Sequence, residues 1–275
     1  MTRRIGICSP STPFAREHAD RVIALAADCA PSLELVFSDQ CFEVAGHFEG
    51  SDALRCDTFV EMGNDPGFVA IWFCRGGYGA ARMAPGALPR LTEAARTKRY
   101  LGYSDAGVLL AGLYRNGIGK PAHGPMPTDI RREGGEAAIR RVLNWLAEDD
   151  PASLEPSIDG KTPVAAFNLI TLSMLIGTSL MPDLSGHILM VEEIGEYDYA
   201  FDRAMFHVTN ALAEAKLAGL RLGRVSEVQE NDRPFLHDHE AITRHWCAQA
   251  GIAYLGRADI GHDAANRIVP FGKSV

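Results

Sequence analysis

The chain has 275 residues, with 47% hydrophobic and 23% charged residues. This balance is typical of a globular protein and excludes a disordered tail, a collagen-like fibre and a small disulfide-stapled scaffold. The 27 basic and 35 acidic residues give a net charge of −8. That charge argues against a nucleic-acid partner, because phosphate contacts need clustered lysine and arginine. No apolar run reaches the roughly 18 residues of a membrane span, so we expect no membrane partner.

The N-terminal sequence MTRRIGICSPSTPF predicts a buried strand over residues 5–8. We do not interpret it as a secretory leader, because its apolar stretch is too short and is followed by prolines. The six cysteines are scattered without CxxC or zinc-finger spacing, and several lie inside apolar runs. These features predict a reduced, cytoplasmic protein.

The first half of the chain alternates strand-like and helix-like patterns. Apolar runs predict strands at residues 5–8, 33–37, 68–73 and 99–103. Helical spacing predicts helices over about 15–29, 51–63, 104–114 and 134–148. In the second of these helices, Leu54 and Phe59 should face inward. The βαβα order predicts a doubly wound parallel sheet.

A polar stretch with prolines and no periodicity, residues 151–164, predicts a linker between two domains. The first domain would cover residues 1–150 and a smaller α/β domain residues 165–275. In the second domain, we expect a helix starting at Asn168, a strand over 187–191, and helices over 199–215 and 238–250. Phe206 is expected on the buried side of the helix over 199–215.

Ser104 follows a predicted strand and precedes a predicted helix, in the sequence LGYSDA. A serine at such a junction can present its hydroxyl as a nucleophile, beside free backbone N–H groups at the helix start. Alternatively, Ser104 only caps the helix, a role that serine favours. The pattern departs from G-x-S-x-G, because Ala106 stands at the last position.

A glycine-rich loop, CRGGYG at residues 74–79, follows the strongest predicted strand. Its glycines let the backbone approach a ligand closely, and the carboxyl end of a parallel strand is where binding loops occur. It matches neither a P-loop nor the dinucleotide fingerprint, so we expect no cofactor. A tight turn without a ligand is the alternative. A Cys74 nucleophile is disfavoured, because Cys74 continues the apolar run.

Two further segments carry groups suited to acid–base chemistry. Glu192 and Glu193 end a predicted strand, and His262 lies in a glycine-flanked irregular segment. Either could simply be a solvated surface feature. His237, His239 and His245 do not share a helix face, so we expect no metal site there.

Taken in chain order, these segments resemble the LD-carboxypeptidase family of serine peptidases, which includes microcin-immunity hydrolases. The resemblance covers nearly the whole chain. It rests on the segments GICSPS, RGGYGAAR, GYSD, HGPM, FNLITLSMLIGT, ILMVEEIGEYDYAFDR and GHDAANRIVPFG.

The resemblance implies a Ser–Glu–His triad, with Ser104, Glu192 and His262 at the matching positions. It also implies an oxyanion hole from the backbone N–H groups of Asp105 and of the glycine loop, where we favour Gly77 over Gly76. The serine would come from the first domain and the other two residues from the second. The active site would then lie in the interdomain crevice.

The family reaction hydrolyses an amide between an L-centre and a C-terminal D-amino acid, usually in a murein tetrapeptide during peptidoglycan recycling. We expect a peptide substrate bound by Arg75, Gly76 and Tyr78. Arg75 would bind the substrate carboxylate or hold the loop by hydrogen bonds. The resemblance suggests a homodimer. An aminoacyl or nucleotide-peptide conjugate is the alternative substrate, and a catalytically silent peptide-binding protein is the alternative function.

Overall fold

The computed structural model describes residues 2–273, which form two β-sheets flanked by α-helices. The strands are β1 (Arg3–Cys8), β2 (Leu33–Phe37), β3 (Phe68–Phe73), β4 (Arg99–Gly102), β5 (Lys120–His123), β6 (Val164–Asn168), β7 (Ile188–Ile194), β8 (Gly219–Ser226), β9 (Tyr254–Arg257) and β10 (Val269–Pro270). The helices are α1 (Arg16–Cys29), α2 (Asp52–Asn64), α3 (Ala80–Ala87), α4 (Gly107–Arg115), α5 (Gly135–Glu148), α6 (Leu169–Leu175), α7 (Asp198–Ala211) and α8 (His239–Gln249).

The first sheet has the strand order β10-β5-β4-β3-β1-β2 and is parallel except for β10. Helices α1 and α5 cover one face, and α2, α3 and α4 cover the other. The predicted doubly wound domain is therefore confirmed. Its strand order reverses between β1 and β3, and the crevice outside the carboxyl ends of strands at such a point is where these folds bind ligands.

The second sheet is smaller and parallel, with the order β6-β7-β8-β9. Helices α6, α7 and α8 pack on one face. The other face is covered by residues of the segment that precedes β10, including Ala258 and Ile260. This α/β unit matches the second domain expected from the sequence.

The C-terminal strand joins the two sheets. Val269 of β10 pairs with His123 of β5, and the Val164 N–H donates to the Gly272 carbonyl at 3.0 Å. The Phe271 ring contacts Phe167 of β6, with 5.1 Å between ring centroids. The segment that carries His262 is therefore fixed to the first sheet as well as to the second.

The prediction of inward-facing side chains is wrong for two residues. Leu54 is 40% exposed, and Arg55 takes the buried position beside it, with its guanidinium over the Phe48 ring and bonded to Asp52. Phe206 is 48% exposed, because it lies at the edge of α7 and packs against the ring of Trp246 on α8. In both cases the spacing of apolar residues correctly predicted a helix. It did not indicate which of the adjacent side chains on that helix is buried in the core.

No helix within residues 2–273 combines the length and the hydropathy that crossing a membrane requires.

Candidate active site

Ser104 lies at the sharp turn between β4 and α4, at the carboxyl edge of the first sheet. Its φ of +57° is in the left-handed region, which costs a non-glycine residue energy and recurs at functional sites. Its side chain does not cap α4, whose N-cap residue is Ala106. The capping alternative is therefore not what the structure has. A half-buried hydroxyl held on a strained turn has the geometry of a nucleophile elbow.

The glycine loop packs directly on this turn. A Cβ atom on Gly76 would lie 3.0 Å from both Cβ and Oγ of Ser104, so only glycine fits there without displacing the serine. Gly77 has a φ of +111°, and a Cβ on it would meet Thr12 at 2.6 Å. The Thr12 hydroxyl donates to the Gly76 carbonyl at 2.6 Å. The loop after β1 thus holds the glycine loop against the serine.

The carboxylate of Asp105 is buried and ties these loops together. Its Oδ2 accepts hydrogen bonds from the Ser11 hydroxyl at 2.5 Å and from the Ala80 N–H, at the start of α3, at 2.8 Å. Burial raises the pKa of Asp105. This side chain has a structural role, which leaves the backbone N–H of Asp105 as the group considered for an oxyanion hole.

Glu192 and His262 form a buried pair between the sheets. The Glu192 Oε2 accepts from the His262 Nδ1 at 2.6 Å, and neither residue is more than 8% exposed. Because a carboxylate can only accept, Nδ1 carries the proton and Nε2 remains the free ring nitrogen of the neutral imidazole. Burial alone would lower the pKa of His262, but the Glu192 carboxylate raises it above its ordinary value. The pair therefore stabilises an imidazolium.

Glu193, the next residue, has a different environment. Its carboxylate accepts from the Asn168 amide at 2.6 Å, the Ile170 N–H at 2.8 Å and the Ile194 N–H at 2.9 Å. Burial raises the pKa of Glu193 to about 7. Successive side chains of a strand point to opposite faces, so Glu193 holds the start of α6 while Glu192 faces His262.

Tyr103 connects the serine turn to the histidine. Its ring lies 4.7 Å from the His262 ring, measured between centroids, and its hydroxyl donates to the buried Asp129 at 2.8 Å. Arg132 also bonds to Asp129, at 2.9 Å. Ser104 and His262 share no direct hydrogen bond, although Tyr103 and His262 are in ring contact. The role of Asp129 was missed in the sequence, where no local motif marks it.

Arg75 belongs to the glycine loop, and its half-buried guanidinium donates to the Pro13 carbonyl. Burial, then the nearby Arg131 guanidinium, lowers the pKa of Arg75. Neither arginine forms an ion pair with a carboxylate within residues 2–273. Tyr78, at the outer end of the loop, is 50% exposed and packs against Phe48.

Thiol and metal chemistry have less support at this edge. Cys74 is fully buried, and burial raises the pKa of its thiol well above the ordinary value, which keeps it neutral and poorly nucleophilic. Across the described 272-residue stretch, 2–273, no cluster of three or more His, Cys, Asp or Glu side chains is arranged to hold a metal. His239 instead bonds to Asp198 at 2.9 Å.

Family models match most of the chain. The N-terminal domain model of the LD-carboxypeptidases matches residues 5–124, and the C-terminal domain model matches residues 162–275. The chain belongs to the LD-carboxypeptidase family. The match makes it a member of a peptidase family, and the order of its two domains agrees with the two sheets described above.

Individual relatives support this membership. The chain is 26% identical to a murein tetrapeptide carboxypeptidase from Pseudomonas aeruginosa, over 76% of this chain and 72% of that protein. It is 28% identical to a putative carboxypeptidase from Synechocystis, over 98% of this chain and 89% of that protein. A probable murein peptide carboxypeptidase from Bacillus subtilis is 23% identical, over 98% and 86%.

Solved structures share the fold of this chain. A muramoyltetrapeptide carboxypeptidase from Oxalobacter formigenes superposes with a TM-score of 0.80 at 23% identity, over 97% of this chain and 93% of that one. The microcin C7 self-immunity protein MccF, in complex with aspartyl sulfamoyl adenosine, superposes with a TM-score of 0.79 at 19% identity, over 99% and 92%. At these identities the superpositions establish the fold alone.

A buried acid near the glycine loop makes stability depend on pH. Glu49 is fully buried, neither carboxylate oxygen has a partner within the described part of the chain, and burial raises its pKa to about 11. The folded protein holds this proton and the unfolded chain releases it above its ordinary pKa. The contribution of this protonated acid to the stability of the fold is therefore present at low pH and is lost as pH rises towards 11.

We expect Glu49→Gln to remove this loss, because the amide mimics the protonated acid. Urea unfolding at pH 5, 7 and 9 should show the wild-type free energy of unfolding falling by up to about 1.4 kcal/mol per pH unit relative to the variant. Asp39→Gln, at an exposed carboxylate nearby, is the control and should follow the wild type. Parallel wild-type and Glu49→Gln curves would contradict the assignment.

Proposed function

We propose that the chain is a serine-type LD-carboxypeptidase with Ser104 as nucleophile, His262 as general base and Glu192 as the carboxylate that orients His262. The observation that carries this proposal is the buried Glu192–His262 pair, whose imidazole contacts the ring of Tyr103, the residue before a half-buried serine with a φ of +57°. Family membership supplies the reaction class, and the buried pair supplies the chemistry that activates a hydroxyl.

Serine at its free pKa is a weak nucleophile, so a base must take its proton. Nε2 of His262 accepts the Ser104 proton as Oγ attacks the scissile carbonyl, and Glu192 stabilises the imidazolium that forms. His262 then gives the proton to the leaving amine, and the acyl group stays on Ser104 as an ester. In the second half, His262 takes a proton from water as its oxygen attacks the ester carbonyl, and returns that proton to Ser104 Oγ as the peptide acid leaves. The Gly77 and Asp105 N–H groups are the donors proposed for the tetrahedral oxyanion, each worth about 2.7–4 kcal/mol.

The proposed substrate is a murein tetrapeptide that loses its C-terminal D-alanine during peptidoglycan recycling in the cytoplasm. The names of the curated relatives support this choice. A nucleotide-peptide conjugate is less suited to the chain, because the acidic Glu196 follows β7 and no lysine or arginine stands there to meet a phosphate. We further propose a homodimer.

A carboxypeptidase must bind a free carboxylate, and Arg75 is the group proposed to do so. Its guanidinium lies beside the loop that packs on Ser104, and Arg131 adds a second positive charge nearby. Because Glu49, the carboxyl group whose charge would act on Arg75, is held protonated, the positive charge is left for a ligand. A guanidinium matches a carboxylate with two parallel hydrogen bonds. Gly76 and Tyr78 would line the same subsite.

Replacing the nucleophile tests the proposal. Release of D-alanine from a murein tetrapeptide should fall at least about 1,000-fold in Ser104→Ala, while the peptide still binds, because only the bond-forming atom is lost. Ser173→Ala, at a serine bonded to His207 outside the crevice, is the matched control and should keep full activity.

Four outcomes would redirect the proposal. Full activity in Ser104→Ala would remove the mechanism. Hydrolysis of an aminoacyl sulfamoyl nucleoside but not of the tetrapeptide would favour the conjugate. Peptide binding without any hydrolysis by the wild type would indicate a binding protein, and loss of activity with a chelator would indicate a metal enzyme.

Replacing Arg75 tests the carboxylate subsite. Arg75→Met should raise KM about 10- to 100-fold with a smaller change in kcat, since one charged hydrogen-bonded contact contributes about 1.5–3 kcal/mol. A tetrapeptide with a C-terminal amide should be hydrolysed equally poorly by both proteins. A fall in kcat with both peptides would assign Arg75 to loop support instead, and unchanged KM and kcat would exclude both roles.

A further inference from the structure

Asn266 is a fully buried amide in the segment that follows His262. Its Oδ1 accepts from the Gly261 N–H at 3.2 Å and lies 3.2 Å from Nε2 of His123. A backbone N–H can only donate, so the amide oxygen must face Gly261 and the orientation of Asn266 is fixed. The oxygen is thereby shared between a group just before His262 and a group on β5.

His123 supplies the second hydrogen to this oxygen. It is buried at the carboxyl end of β5, and burial lowers its pKa to about 4, so the ring is neutral near pH 7. Since Nε2 faces an acceptor, Nε2 carries the ring proton. His123 belongs to the part of the chain matched by the N-terminal family model, and Asn266 to the part matched by the C-terminal model. The contact therefore crosses the interdomain boundary.

The same contact acts on His262 through a short path. Gly261 immediately precedes His262, and Arg224 holds Asp263 on its other side through an ion pair. The Tyr103 ring lies between the two histidines, 5.5 Å from His123 and 4.7 Å from His262 between centroids. Movement of Asn266 would therefore shift the backbone that carries the imidazole.

We propose that Asn266 is a positioning residue for catalysis, with His123 as its partner: together they hold the His262 segment against β5, so that the imidazole meets both Glu192 and the serine turn. This inference rests on the proposed function, in which His262 is the base. Neither Asn266 nor His123 touches the reacting atoms.

A purely packing role would not call for these residue types. An unpaired buried polar group costs about 1–3 kcal/mol, and apolar side chains would fill the same space without that cost. The pair instead gives a directional contact at a point where a small displacement of a base matters. A misplacement of about 1 Å can lower a rate about 100-fold.

Three variants and one control test the proposal by kinetics. Asn266→Ala and His123→Leu should lower kcat about 10- to 100-fold with KM nearly unchanged, because the base is misplaced while the substrate subsite stays intact. His123→Gln should recover most of kcat, since its amide nitrogen can donate to Asn266. Thr209→Val, which removes a buried hydrogen bond within α7, should lower Tm without changing kcat.

The titration of His262, followed by NMR of its ring, gives a readout that does not depend on turnover. The charged and titratable groups that face it are Glu192, Asp129, Arg132, Tyr103 and His123. The pKa of His262 should fall in Asn266→Ala, because the ring moves away from Glu192, and should stay near the wild-type value in His123→Gln.

A lower Tm in Asn266→Ala and His123→Leu with unchanged kcat and unchanged His262 titration would overturn the positioning role. Should Asn266→Ala fail to fold, the comparison of His123→Leu with His123→Gln carries the same test. An active Ser104→Ala protein would refute the proposed function, whereas the His262 titration would still report whether Asn266 sets the environment of the imidazole.

Discussion

The site depends on one buried contact, between the carboxylate of Glu192 and the imidazole of His262. A carboxylate with no solvent exposure is costly unless it is paired, and the 2.6 Å contact to Nδ1 supplies that pairing. The contact fixes the ring tautomer and favours the charged imidazole. Glu192 comes from the end of β7 and His262 from the segment before β10, so the second sheet and its return to the first sheet both serve to form this pair.

The fold keeps the pair in register with Ser104 by making the two sheets share a core. Val108 and Leu109 of α4 belong to the same apolar cluster as Phe167 and Leu172 from β6 and α6. The C-terminal strand adds backbone pairing to β5, at the strand that carries His123. Burial of this shared surface and the β5–β10 pairing therefore position the crevice and hold the two sheets in a fixed arrangement.

Elements with strong patterns could be predicted from the sequence. The run Phe68–Phe73 is buried on both faces, which leaves a continuous apolar signal, and α5 repeats its apolar residues on one face. β5 and β8 gave no such signal, because Lys120–His123 contains a proline and a lysine and Gly219–Ser226 contains two glycines and two arginines. The buried Arg55 also departs from the pattern in which apolar residues fill the inner face of a helix. Its charge is paired with Asp52 instead of being solvated by water.

The site was predictable in part, for a physical reason. Chain order and motif resemblance suggested Ser104, Glu192 and His262, but 70 residues separate the two members of the buried pair, and local pattern carries no distance between them. The contacts of Tyr103 with Asp129 and of Asn266 with His123 are set by three-dimensional packing across elements. Sequence periodicity reports which face of an element is buried, not which polar groups meet there.

The pH dependence of kcat/KM in Glu192→Gln tests the central claim most directly, with Glu196→Gln as the matched control. Hydrolysis needs neutral His262, whose pKa Glu192 raises, so removing the carboxylate charge should move the acidic limb of the profile to lower pH. The plateau should fall by about 10,000-fold, as expected when a triad carboxylate is replaced by its amide. A Glu192→Gln profile with the wild-type plateau and the wild-type acidic limb would contradict the account.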